Sequence, residues 1–99
     1  MILYGLKRNG DVVMKIKDGY IVRKIGSKYY AVSPMRAAEG GGMIALNETG
    51  AFIWELFKEE NTLENAAKSL AEKYEIDIET ATRDTEAYVN MLKEVDALA

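Results

Sequence analysis

The apolar positions of this chain change their period once, at Asn47. Before it they alternate. In "GYIVRKI" (19–25), Tyr20, Val22 and Lys24 fall on one face and Ile21, Arg23 and Ile25 on the other. β-Branched and aromatic residues dominate the stretch, as a pleated strand favours. "GSK" (26–28) predicts a short Gly-containing hairpin connection, and "YYAVS" (29–33) the returning strand. "PMRAAEGGG" (34–42) holds the only proline and three successive glycines, and reads as a mobile loop. "MIAL" (43–46) is then a third short strand. An earlier stretch, "DVVMKIK" (11–17), alternates weakly and reads as a further strand or as an arm.

After Asn47 the period is helical. Asn47 is a good N-cap, and Glu48 in the first turn favours the helix dipole. This first helix runs through Phe57 and ends at "EEN"; Phe52, Ile53, Trp54, Leu56 and Phe57 make it apolar nearly all round, the mark of a buried helix. Trp54, the only tryptophan, is therefore a core residue. Gly50 costs about 1 kcal/mol against Ala inside a helix, so its presence predicts another backbone packed close by. "NTLE" (61–64) has the form of an N-cap with Glu three residues later. It opens a second helix with Leu63, Ala66, Ala67, Leu70, Ala71 and Tyr74 on one face. Asp77 caps a third helix that runs to about Val95, with Ile78, Ala81, Thr85, Val89 and Leu92 inward. The expected fold is α+β and winged-helix-like: a three-stranded antiparallel sheet followed by three helices.

Composition trims the list of functions. Ninety-nine residues make one domain, able to bury roughly 65% of its unfolded surface. A net charge of −3 argues against a surface built for phosphates and, more weakly, against anionic membranes. No apolar stretch is long enough to span a bilayer, and "MILYGLKRNGD" lacks a cleavage signal, so a cytoplasmic location is expected. The chain has no cysteine and no histidine. It therefore has no thiolate nucleophile, no cluster ligands, no near-neutral general base and no imidazole metal ligand. A non-enzymatic role without cofactor is expected. Asp77, Glu79, Asp84 and Glu86 read as an acidic first turn and a solvated face rather than a metal site. Glu39 to Gly42 is no phosphate cradle, since no Gly-Lys-Ser/Thr motif comes after it. Lys7, Arg8, Lys15 and Lys17 are too sparse for a nucleic-acid patch.

Three segments carry a family resemblance: "MKIKDGYIVRKIGSKYYAVS", "GMIALNETGAFIWELF" and "YEIDIETATRDTEAYVNMLKE". Together, over residues 14–96, they resemble the coenzyme PQQ synthesis protein D family, also called the RiPP recognition element; the resemblance implies a peptide-binding domain over 14–99, with residues 1–13 outside the match as an N-terminal arm or extra strand. "LNETGAFIW" (46–54) is the most specific part; the last helix matches more loosely, through its acidic start and the Tyr88–Leu92 spacing. The resemblance implies a peptide-binding adaptor. The leader segment of a ribosomally made precursor adds as a strand to the exposed edge of the third strand, with the last helix as second wall. A partner enzyme, in many members a radical S-adenosylmethionine maturase, then modifies the delivered peptide. The implied strand wall here is Met43, Ile44, Ala45 and Leu46. On the last helix, Asp84, Tyr88, Met91 and Val95 are spaced four, three and four apart and form one stripe. Met adapts to irregular ligands and Tyr offers a polar tip, so the stripe suits a groove; it reads equally as the edge of the core.

Two other functions fit the same elements. One is a winged-helix DNA-binding regulator, against which residues 77–96 set six acidic side chains and only two basic ones. The other is an interaction module that forms homodimers through the same sheet edge.

Overall fold

The computed structural model describes residues 6–8, 11–34 and 43–99. Strands β1 (Leu6–Arg8), β2 (Asp11–Met14), β3 (Ile21–Ile25), β4 (Lys28–Val32) and β5 (Met43–Leu46) precede helix α1 (Glu48–Leu56). A two-residue strand β6 (Asn61–Thr62) comes next, then α2 (Leu63–Tyr74) and α3 (Ile78–Glu94). The expected three-stranded antiparallel sheet is present, in the order β3–β4–β5. Ile25 pairs with Lys28, so the hairpin turns on Gly26 and Ser27 alone. Gly26 takes φ +65°, a left-handed conformation that glycine adopts without steric cost. The 34–42 loop read from the sequence, with its Glu39–Gly42 segment, lies outside the described residues apart from Pro34.

Sequence periodicity does not reveal the second sheet, β1–β2–β6. The weakly alternating 11–17 stretch supplies its central strand, with Val13 opposite Thr62 and Met14 opposite Asn61. Val13, Met14 and Ile16 are buried. Residues 15–17 then hold the last residues, with Lys17 N donating to Ala97 O and Ala99 N to Lys15 O, and tie to the end of α1, with Ile16 N donating to Phe57 O, each at 2.8 Å. Ala97 and Leu98 are buried as a result.

The helices cap as the side chains dictate. Asn47 Oδ1 accepts from Gly50 N at 2.6 Å, and Asp77 accepts from Thr80 N and Thr80 Oγ1. The cap of α2 differs from the sequence reading. Asn61 Nδ2 donates back to Leu56 O, closing α1, so Thr62 takes over as the N-cap and accepts from Asn65 N at 3.1 Å. Ile78 also differs: it is 49% exposed, because it opens the first turn of α3 beyond the reach of its neighbours. Ala81, Thr85, Val89 and Leu92 point inward as the period requires. Thr85 is fully buried and satisfies its hydroxyl by donating to Ala81 O at 2.7 Å.

The core lies between the inner face of the β3–β4–β5 sheet and the three helices. Trp54 is 1% exposed and meets Tyr20 edge to face, ring centroids 5.0 Å apart. Phe57, Ile53, Leu70 and Leu92 complete the largest buried side chains. No helix among the described residues is long and apolar enough to cross a membrane.

Candidate binding groove at the strand-to-helix corner

β5 pairs only with β4, so among the described residues its other edge is open. The two edges of this sheet differ in chemistry. β3 carries Arg23 and Lys24, charges that discourage edge-to-edge pairing; β5, Met-Ile-Ala-Leu, carries none. Alternation turns Leu46 and Ile44 inward and leaves Met43 and Ala45 exposed. The open strand runs through Asn47 directly into α1.

α3 reaches this corner through Tyr88. A Cβ placed on Gly50 would lie 2.8 Å from Tyr88 Cε1 and 3.0 Å from Asn47 Oδ1. The close neighbour that requires glycine is thus an aromatic ring, not the backbone expected from the sequence. Beside the contact lies a cleft of about 420 Å³, lined by Asn47, Thr49, Gly50, Ile53, Asp84, Ala87, Tyr88 and Met91. The structure therefore brings Asp84, Tyr88 and Met91 together on one wall. Val95 is not in that lining; it is the half-buried C-cap of α3, packed against the core. Met43 to Leu46 are not in it either, since the cleft begins at Asn47, where the strand ends. The α1 wall was not legible as a site, although an unexplained helical glycine one turn from a cap was a signal for it.

The polar character of the stripe is uneven. Asp84 is exposed at the cleft's rim. The Tyr88 hydroxyl is buried without a hydrogen-bond partner among the described residues, so it offers no polar tip to solvent. Burial pushes the Tyr88 phenol well above its ordinary range, because the phenolate would be desolvated. What the cleft presents is the ring, the Met91 thioether and one carboxylate.

α3 has a second hollow on its other flank, about 460 Å³, lined by Val12, Met14, Leu63, Glu86, Val89, Asn90 and Lys93. Its strand wall is β2, whose two sides are already taken by β1 and β6, so an extended ligand finds no free ladder there. A smaller hollow, about 350 Å³, by Tyr29, Phe52 and Tyr74 has Glu48 accepting from the Tyr74 hydroxyl at 3.3 Å. Burial first, and the Glu48 charge second, raise the Tyr74 phenol. Among the described residues no group of three or more acidic, His or Cys side chains is placed to hold a metal ion.

Comparison with known proteins bears on the fold. No curated protein matches the chain. Among solved structures it is similar to TbiB1 in complex with the TbiA(beta) leader peptide, at 24% identity and a TM-score of 0.68, over 86% of this chain and 94% of that one. It is also similar to the PqqD truncation of Methylobacterium extorquens PqqCD, described as a functional and stand-alone RiPP recognition element. That match has 18% identity and a TM-score of 0.69, over 88% of each chain. The family model for coenzyme PQQ synthesis protein D (PqqD) matches residues 27–98, most of the chain, which therefore belongs to that family.

Proposed function

We propose that this chain is a leader-peptide recognition element. It captures the leader segment of a ribosomally made precursor peptide as an extra strand on β5 and presents the remainder to a modifying enzyme. The observation that carries the reading is the uncharged edge of β5, open among the described residues, leading straight into the cleft between α1 and α3. A structurally similar protein, TbiB1, has been captured with a leader peptide. The role is binding rather than catalysis, and any redox step belongs to the partner, a radical S-adenosylmethionine enzyme in our reading. Such an adaptor meets its precursor where the ribosome releases it, in the cytoplasm.

Magnitudes define what each wall contributes. Four backbone hydrogen bonds along Met43–Leu46, at about 1 kcal/mol net each, fall short of the roughly 8 kcal/mol of a micromolar complex. Side chains on α3 supply the difference. Asp84 draws a basic leader residue to one end, and the Tyr88 ring and Met91 take an apolar one.

Titration of the cognate leader, read by amide chemical shifts, tests the placement. Shifts are expected over 43–50 and 84–95. Met91→Ala should weaken the complex by about 1–2 kcal/mol, near ten-fold, through lost apolar contact. Shifts confined to the Gly26–Ser27 turn or to α2 would place the peptide elsewhere.

A further inference from the structure

A handover needs a second interface, because a leader seated on β5 and in the cleft leaves the enzyme to be held elsewhere. The need for that interface rests on the leader-peptide reading of β5. Among the described residues five large apolar side chains are exposed: Val12, Ile21, Ile25, Met43 and Ile78. Three of them, Ile21 at 46%, Ile25 at 67% and Met43 at 68%, share the outer face of the β3–β4–β5 sheet. The register sets Ile21, Val32 and Met43 in one row across all three strands. Arg23 stands between the two isoleucines on β3, and Lys28 lies opposite Ile25 on β4. β3, β4 and β5 contain no carboxylate, and neither Arg23 nor Lys28 has an ion-pair partner among the described residues.

Exposed apolar side chains grouped on one face, rather than scattered singly, are a feature of interaction sites. We propose that the outer face of this sheet, built on Ile21, Ile25 and Val32 with Arg23 and Lys28 beside them, docks an acidic surface of the peptide-modifying enzyme. Apolar contact supplies the area, and the two cations select and orient an acidic partner. Nucleic acid fits poorly, since duplex binders commonly neutralise several phosphates and this face offers two cations. The row ends at Met43 on the very strand that takes the leader. An enzyme seated there lies beside the bound peptide and grips adaptor and substrate together.

The test uses the full chain and the purified enzyme that modifies its cognate precursor peptide, with the affinities for enzyme and for leader measured separately. Two variants alter the face by different chemistry: Arg23→Glu/Lys28→Glu reverses its charge, and Ile25→Ser removes its most exposed apolar contact outside β5. All three positions are solvent-exposed, and an amide spectrum verifies each fold. Both variants are expected to lose at least ten-fold in enzyme affinity and to keep leader affinity within two-fold. Wild-type enzyme binding should weaken as salt rises. Enzyme affinity unchanged within two-fold in both variants overturns the proposal, as does a wild-type chain that does not bind the enzyme at all. Light scattering that shows a wild-type dimer split by the variants, with enzyme binding intact, assigns the face to a second copy and also overturns it. If the leader fails to bind the wild-type chain while the variants still lose the enzyme, the peptide reading falls and the enzyme-docking face stands.

Discussion

Trp54 and Gly50 sit four residues apart on one helix and do opposite work. The indole is 1% exposed, packed edge-on by Tyr20 and enclosed by the helices and the sheet. Trp54→Ala should therefore cost about 3–5 kcal/mol, the range for large aromatics truncated in cores. For a domain of this size that lowers the melting temperature by more than about 10 °C, and a fall of only a few degrees would contradict the core assignment. Gly50 contributes by having no side chain. Alanine would gain about 1 kcal/mol of helix propensity there. Its Cβ, however, would stand 2.8 Å from Tyr88 Cε1, and overpacking of that kind costs about 1–3 kcal/mol. Gly50→Ala is thus expected to destabilise the wild-type chain in chemical denaturation. In a Tyr88→Ala background the same change should become neutral or stabilising. An equal cost in both backgrounds would show that the ring is not the obstacle.

At the level of the element, what the sequence could reveal depends on the range of the interaction. β3 to β5 and the three helices announce themselves through a period of two or 3.6, and Asn47 and Asp77 through cap chemistry that acts over three residues. β6 has only two residues and therefore no period. The pairing of 15–17 with the tail joins parts of the chain some eighty residues apart, beyond any local pattern. The same split runs through the groove. Asp84, Tyr88 and Met91 could be grouped because they share one face of one helix. Asn47, Thr49 and Ile53 join them only through the packing of α1 against α3. Caps also make an element-level prediction. The Thr80 hydroxyl, and then the Thr80 backbone N–H, hold the Asp77 carboxyl below its ordinary value of 3.8. A carboxyl with a lowered folded value stabilises α3 above its unfolded pKa and loses that contribution as pH falls through the folded one. Asp77→Asn keeps a competent cap that does not titrate. The stability difference between the two proteins should accordingly change on acidification below about pH 4 and be flat above about pH 5. A difference independent of pH would remove the charge from the capping account.

Over the whole molecule, charge and secondary structure segregate together. Residues 1–46 carry eight cations and three carboxylates; residues 47–99 carry five cations and thirteen carboxylates. The sheet half is thus basic and the helical half strongly acidic, with β5 at the seam between them. α3 belongs to the acidic half, which sets it apart from a recognition helix meant to face phosphates. The same arrangement suits a peptide that enters the seam with a basic residue toward Asp84. Binding there spans both halves, since the ligand would extend the sheet on one side and pack on α1 and α3 on the other. Unfolding separates those surfaces, so a leader that binds there would select the folded chain, and mass action would raise its stability. At a hundred-fold excess over Kd the gain is about 2.7 kcal/mol. For a domain of this size that corresponds to a rise of roughly 10–20 °C in melting temperature. A scrambled leader and a DNA duplex at the same concentration should leave the transition where it was. Asp84→Lys should reduce the rise for a leader with a basic residue at that position, and added salt should reduce it in the wild type but much less in the variant. A melting temperature that stays within a degree or two throughout the leader titration would mean that the peptide does not select the folded domain.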